Sequence, residues 1–395
     1  MIYRIISPSI SKSFFLFGAR GTGKTTFLRE QFEATTRAST WFIDLMDPEQ
    51  EDLYSRRPKM LELELIERKS RGEKIDWVVI DEIQRVPALL NVVHRLIESH
   101  KQRFVLTGSS ARKLKRGAAN LLAGRAHVSH LFPFTSIELK DQFKLDETLE
   151  WGTLPEVIGL INTSDRRRTL RAYALTYLKE EIQAEQLIRN LTPFRNFLEV
   201  AAQLNGKAVN FLRTGQALGV DHKTIQSYYS ILEETWIGYL LPAFSLSVRK
   251  QQKMHPKFYF FDGGVKRALD GTLDSKLVPR TAAYGEAFEA WIINEILRFN
   301  SYFEQDYSLS YLETSGGGEI DLLLKKGRSV IAIEIKATNQ KDEREISKLE
   351  TLAKDIPGIE AIYYLSQDPR PEKMGKVHCL FWREGLGFIF KQSQR

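Results

Sequence analysis

Gly18-Ala19-Arg20-Gly21-Thr22-Gly23-Lys24-Thr25 fits the G-x-x-x-x-G-K-[ST] pattern at every fixed position. The chemistry this spacing serves is phosphate binding. Glycines let backbone N–H groups turn inward on an anion, and the helix start behind them adds partial positive charge. Lys24 is expected to reach the β- and γ-phosphates of a triphosphate such as ATP, Thr25 to ligate Mg²⁺, and Thr26 to open the helix at the end of the binding set. The apolar run Phe14-Phe15-Leu16-Phe17 before the loop reads as a buried strand, which separates a phosphate loop from a chance glycine turn.

A second set of chemically apt residues closes two further apolar runs. Trp77-Val78-Val79-Ile80 ends in Asp81-Glu82, a Walker B segment in which Asp81 is expected to hold the Mg²⁺ shell and Glu82 to polarise the attacking water. Phe104-Val105-Leu106 ends in Thr107-Gly108-Ser109-Ser110, and in a parallel sheet that end lies beside the Walker B end. Ser109 is therefore the first candidate to sense the γ-phosphate and Thr107 the second; capping of a following helix is the plainer role for Ser109 and Ser110.

The third set is near the C-terminus. Glu319 to Leu324 and Ser329 to Lys336 read as two strands of a hairpin with Gly327-Arg328 at its tip. That register sets Asp321 opposite Glu334, and the period of two keeps Lys336 on the face of Glu334. Two level carboxylates with a lysine one step on suit a Mg²⁺ site, Mn²⁺ being an alternative, with a positive charge over an attacked phosphate. A polar hairpin face, with Lys336 paired to Glu334 or Glu319, is the plain alternative.

The elements that must carry these residues alternate between strand and helix. After the phosphate loop come a helix from Thr26, a strand at Trp41–Leu45 and a helix through Leu61–Ile66, so the N-terminal third reads as an α/β parallel fold. From about Trp151 to Leu204 the pattern turns helical. Thr214 to Tyr229 reads as two helices around a tight turn capped by Asp221; strands at Trp236–Phe244 and Lys257–Phe261 follow, with Arg249, Lys250 and Lys253 between them. That pattern is a winged helix with a basic wing, a module that reads DNA or packs between domains.

Bulk properties narrow the classes. A chain of 395 residues, 43% hydrophobic and 27% charged, is expected to form several globular units. No apolar run approaches the ~18 residues that span a bilayer, and Met1–Ile10 lacks the pattern of a secretion signal, so a cytoplasmic location without membrane contact is expected. The single Cys379 excludes an internal disulfide framework and a cysteine-based zinc cluster. A net charge of +7 leans toward a polyanionic partner.

Taken in order, the phosphate loop, Asp81-Glu82-Ile83-Gln84-Arg85-Val86-Pro87, Leu106-Thr107-Gly108-Ser109-Ser110-Ala111, Leu122-Ala123-Gly124-Arg125 and Pro133-Phe134-Thr135-Ser136 resemble one group. This group is the prokaryotic AAA-type ATPases that carry a restriction-endonuclease-like C-terminal domain of unassigned function. The resemblance implies a P-loop ATPase domain at 1–135, a helical lid at 136–204, a winged helix at 205–270 and a nuclease-like α/β domain at 280–395. It implies that Arg125 reaches a neighbouring subunit's γ-phosphate, hence a homo-oligomer, a ring such as a hexamer, with the basic run Arg112–Arg116 facing a channel. It also matches Asp321, Glu334 and Lys336 to the D…E-x-K nuclease signature, with a helix glutamate added; Glu286 fits that role first and Glu289 is the alternative. The implied partner is DNA, duplex or branched.

Overall fold

The protein is described here by a computed structural model covering residues 2–8, 10–34, 40–110, 122, 124–177, 191–245, 254–314 and 316–390. The chain divides into two compact units, Met1–Phe134 with Glu234–Ile237, and Thr135–Glu233 with Gly238–Arg395. The stretches 136–204 and 280–395 fall within the second compact unit, as does 205–270 apart from Glu234–Ile237.

In the first unit the elements run β1 (Ser13–Phe17), α1 (Lys24–Ala34), β2 (Thr40–Asp44), α2 (Pro48–Arg56), α3 (Met60–Ser70), β3 (Trp77–Asp81), α4 (Leu89–His100), β4 (Arg103–Gly108) and β5 (Ala126–His130). β1 and β3 are buried along their whole length, as strands of a parallel sheet covered on both faces must be. α4 shows why such a cover forms. Leu89, Leu90, Val92, Val93 and Leu96 recur at helical spacing and are all buried, and the helix stops where Lys101 takes a left-handed backbone with φ of 51°. α2, not expected from the sequence, begins at Pro48 behind Asp47, whose carboxylate accepts from the Glu49 N–H.

The sheet is parallel throughout, in the order β2-β3-β4-β1-β5. Because β4 lies between β1 and β3, the residues that leave those three strands, Gly18, Asp81 and Ser109, emerge side by side at one edge. This insertion of β4 is what assembles the first site.

The second unit begins with helices α5 (Leu145–Trp151), α6 (Thr163–Ala172), α7 (Leu191–Gln203), α8 (Phe211–Leu218) and α9 (His222–Glu234), then an antiparallel pair, β6 (Gly238–Leu241) with β7 (Lys257–Phe260). Gly219 joins α8 to α9 with φ of 67°, a conformation that favours glycine, and the Asp221 carboxylate caps α9 through the Lys223 and Thr224 N–H groups. Arg249, Lys250 and Lys253, like Arg112–Arg116, lie outside the described residues.

α10 (Gly263–Leu269) and the long α11 (Ala282–Tyr302) lead to a mixed sheet of β8 (Ser308–Glu313), β9 (Glu319–Lys326), β10 (Ser329–Ile335), β11 (Ile359–Ser366), β12 (Glu372–Met374) and β13 (Val377–Phe381). Its order is β12-β13-β11-β10-β9-β8. α12 (Glu343–Lys354) buries Ile346, Leu349 and Ala353 against Leu323, Ala332, Ile362 and Tyr364, while α13 (Trp382–Ile389) packs on β11 and β13. Cys379 is buried on β13, and burial pushes its thiol up to about 11, so it acts as a core residue. No helix among the described residues is long and apolar enough to cross a membrane.

Candidate functional site

The phosphate loop runs from Gly18 to Gly23 between β1 and α1, as its spacing demands. A Cβ at Gly18 would meet the Leu131 carbonyl oxygen at 2.2 Å, so the first glycine of the motif is a packing requirement as well as a turn. Gly21 and Gly23 have φ of 78° and 88°. The Thr22 hydroxyl donates to the Ala19 carbonyl at 2.9 Å, closing the loop on itself. Lys24 is buried, and its ammonium donates to the Gly18 and Ala19 carbonyls at 2.8 and 3.2 Å. Among the described residues no carboxylate lies within ion-pair range of it, so its charge is available to phosphate oxygens.

Asp81 closes the site from β3. The Thr25 hydroxyl donates to one of its carboxylate oxygens at 2.6 Å and Thr107 to the other, with Thr107 fully buried. A hydroxyl and a carboxylate side by side behind the loop are the donor set that Mg²⁺ takes, so these residues fit the expected metal. Glu82 has a left-handed backbone, φ 58° and ψ 47°, which turns its side chain toward β4. There the Gln84 amide donates to its carboxylate and, at 3.1 Å, to the Ser109 hydroxyl, and Ser109 itself stands 3.4 Å from Glu82. Of the two β4 candidates, Thr107 donates to Asp81 and accepts from the Glu82 N–H at 3.0 Å, while Ser109 faces the Glu82 carboxylate.

Two participants were not legible in the sequence. In the sequence Gln84 is one member of a motif run, and an amide two residues beyond Glu82 is the trace it leaves. Arg4 donates to the Thr22 carbonyl and to the Phe132 carbonyl, and its guanidinium lies 4.0 Å from the Phe134 ring centre, which braces the loop from behind. Arg125, expected to act on a neighbouring copy, is ion-paired with Glu98 of its own unit, and both side chains are partly exposed.

The C-terminal set is built across three elements. β9 and β10 pair in the expected register, Lys326 with Ser329 and Leu322 with Ile333, which puts Asp321 and Glu334 at the next level of the ladder. Asp321 is buried and accepts from the Ile335 N–H at 2.8 Å; the Lys336 ammonium lies against Glu334 and 3.5 Å from Asp321. α11 carries both candidates for the helix glutamate, and they sit in different surroundings. Glu286 is half-exposed and paired with Lys207 at 3.2 Å, whereas Glu289, one helical turn on, feels the Asp321 charge directly. Glu289 also accepts from the Tyr259 hydroxyl at 2.9 Å and stands 3.9 Å from the buried Lys257, both on β7. Neither residue was singled out from the sequence; a lysine opening the apolar run Lys257-Phe258-Tyr259-Phe260 is the trace it leaves.

The electrostatics of this set are those of crowded acids. Burial, then the charge of Asp321, raises the Glu289 carboxyl to about 7 and that of Glu334 to about 8. Burial works against the Lys336 ammonium, but Asp321 and Glu334 more than offset it, so its pKa is raised. One Glu334 carboxylate oxygen, Oε2, is buried without a hydrogen-bond partner. Two level carboxylates, one with an unpartnered oxygen, offer oxygen donors of the kind a divalent cation takes. Against that, no three His, Cys, Asp or Glu side chains among the described residues converge in a cation-holding arrangement.

Comparison with known proteins agrees with the first site and leaves the second open. Residues 11–140 match the family model of an AAA domain, and an AAA domain implies nucleotide binding, typically with Mg²⁺. The match supports an AAA-type ATPase family for the first unit. Residues 142–276 and 284–382 match two domains of unknown function, DUF8612 and DUF4143. Uncharacterized proteins of Mycobacterium bovis and Mycobacterium tuberculosis are each 23% identical over 264 residues, which is 66% of this chain and 59% of theirs. The chain therefore spans 59% of the length of these curated relatives. Domain III of the Thermotoga maritima replication initiation protein DnaA is similar at 19% identity over 43% of this chain and 78% of that one; its TM-score of 0.26 is too low to bear on function.

Proposed function

We propose that the chain is an ATP-hydrolysing DNA-processing protein in which turnover at the first site is coupled to metal-dependent cleavage or remodelling of duplex or branched DNA by the C-terminal region. The proposal keeps the four-part division, with 136–204 as lid, 205–270 as winged helix and 280–395 as the nuclease-like part. In the first site Lys24 neutralises β- and γ-phosphate charge, Glu82 orients the attacking water, and Gln84 with Ser109 holds Glu82 in position. Thr25 and Asp81 would hold Mg²⁺, which supplies charge stabilisation to the triphosphate.

The observation that carries the cleavage part is the placement of Asp321, Glu334 and Lys336 together on two paired strands, with Glu289 of α11 within electrostatic reach of Asp321. Asp321 and Glu334 would hold Mg²⁺ or Mn²⁺, with Glu289 nearby on α11; the metal would supply an activated water and screen the phosphodiester. Lys336 supplies a fixed positive charge for the developing charge on phosphorus oxygens. The test is a nicking assay with Mg²⁺ or Mn²⁺ on duplex, single-strand and four-way-junction DNA. Asp321→Ala should abolish cleavage and leave ATP turnover within about twofold; cleavage that survives this substitution overturns the assignment.

A second reading is a nucleotide-dependent switch that binds DNA or a partner without cutting. The lack of a converging triad among the described residues, with Lys336 already against Glu334, favours it. It predicts retention of the same DNA panel on a filter without nicking in either metal.

Assembly is part of the proposal. If Arg125 leaves Glu98 to act on a neighbouring copy, Arg125→Ala should cut ATP turnover by about 1,000-fold. Mixing it with Lys24→Ala should restore part of the activity, because each copy then supplies what the other lacks. Full turnover in Arg125→Ala would sink the shared site.

A further inference from the structure

Lys257 opens β7 and is 7% exposed, although every other residue of that strand is aromatic. Burying an ammonium is costly unless opposite charge receives it, so its partners carry information. They come from the elements that follow in the chain. The Lys257 ammonium pairs with Glu319 at the start of β9, stands 3.9 Å from Glu289 of α11 and lies 5.1 Å from the ring centre of Tyr311 on β8. Burial works against this ammonium, but Glu289, Glu319 and Asp321 more than offset it, so its pKa is raised and it stays charged. Lys257 falls in the region matched as DUF8612 and the acids in the region matched as DUF4143, so neither region by itself holds the whole cluster.

β7 engages Glu289 through two groups at once. Side chains two apart on a strand share a face, and Tyr259 donates its hydroxyl to the same oxygen, Oε1, that stands nearest Lys257. Glu289 is thus held toward β7. On the other flank of the cluster Lys336 serves Asp321 and Glu334, and Glu334 Oε2 remains buried without a partner. The acids are divided between two lysines, which accounts for why no three of them among the described residues converge on one point. A divalent cation entering this cluster meets two carboxylates rather than three for as long as Lys257 keeps Glu289.

We infer that Lys257 is a resident cation of the acid cluster, a positioning residue that withholds Glu289 from the divalent metal taken by Asp321 and Glu334. The inference rests on the metal reading proposed above and adds to it a limit on affinity built into β7. An apolar group of similar length in place of the ammonium frees Glu289 to join the metal. Loss of Lys257 therefore tightens metal binding, the opposite of what loss of a merely structural ion pair does.

Calorimetry with Mn²⁺ on the nucleotide-free full chain tests this, with Asp81→Asn present throughout so that the phosphate-loop site does not contribute. Lys257→Met should bind Mn²⁺ about tenfold tighter than the parent, the scale on which a carboxylate partner alters metal affinity. Lys257→Arg, which keeps the charge, should bind as the parent does. Adding Glu289→Gln to Lys257→Met should erase the gain, a coupling that a double-mutant cycle isolates. If Lys257→Met does not fold, Glu289→Gln alone decides: with Lys257 in place Glu289 is no ligand, so affinity should move by less than about threefold, and a larger loss overturns the inference. Unchanged or weaker Mn²⁺ binding in Lys257→Met, or a gain that survives Glu289→Gln, also overturns it while the metal reading stands. Absence of Mn²⁺ binding from the parent and from Lys257→Met alike refutes the metal reading itself, and the inference falls with it.

Discussion

The two candidate sites are electrostatic opposites. At the phosphate loop a buried cation, Lys24, rests on two backbone carbonyls, and the glycine-rich backbone around it is shaped for an anion. At the C-terminal hairpin the buried Asp321 and the largely buried Glu334 and Glu289 repel one another, and among the described residues Lys257 and Lys336 offset them. The first site is made mainly of main chain from one continuous segment, the second of side chains from a helix and three strands. A backbone site can change most of its side chains and still bind phosphate. A side-chain site depends on each member, because removing one carboxylate changes both the ligand set and the repulsion among those left.

The largest effect that separates the two belongs to Lys24. Lys24→Ala should lower ATP turnover by roughly 100- to 1,000-fold, as loss of a charge aimed at the transferring phosphoryl group does. Metal binding by the second unit, read as Mn²⁺ quenching of tryptophan fluorescence, should be unchanged. A Lys24→Ala protein with near-normal turnover would mean that this loop does not perform the chemistry its spacing suits.

The next effect tests the C-terminal acids without any DNA. A cation that binds only the folded state stabilises it by about 2.7 kcal/mol when present at 100 times its dissociation constant. Mn²⁺ should therefore raise the unfolding midpoint of the second unit in a Lys24→Ala background, where ATP-site chemistry is silent. Glu334→Gln should abolish that rise while leaving the metal-free midpoint nearly unchanged, since burial and Asp321 already favour its neutral form near pH 7. An undiminished rise in Glu334→Gln would remove Glu334 from the metal set.

The same contrast explains what could be read from the chain alone. The phosphate loop, Asp81 and Glu82 were legible because each closes an apolar run, and strand ends in a parallel sheet converge without further information. The β9–β10 register was legible because a two-residue turn at Gly327-Arg328 fixes every pair after it. The choice between Glu286 and Glu289 was not legible. Three positions on a helix differ by only ~60° in direction, so periodicity leaves both on the same broad side, and only the packing of α11 decides. Lys257 and Tyr259 come from a strand far along the chain from Asp321, and no local pattern announces that approach. Arg4 was illegible for the same reason: its partners Thr22 and Phe132 meet it only in the folded unit.

The smallest effect uses a control inside α11 itself. Glu295 lies six positions beyond Glu289, fully buried, and burial raises its carboxyl to about 7 despite Arg298 and the Ser136 N–H and hydroxyl, which donate to it at 3.0 and 2.6 Å. Its folded pKa stands above the unfolded value of ~4.5, so the folded state holds its proton longer. The contribution is fully present below about pH 4.5, is lost as pH rises through about 7, and is constant above that. Between pH 6 and 7 the loss amounts to about 1 kcal/mol. Glu295→Gln should flatten that part of the urea-unfolding profile of the second unit. Because Glu295 is held by Ser136 and Arg298 rather than by the acid cluster, its slope should persist at saturating Mn²⁺; if Mn²⁺ erased it, Glu289 and Glu295 would be responding to one shared cation, and the separation between a structural and a metal-facing glutamate on this helix would fail.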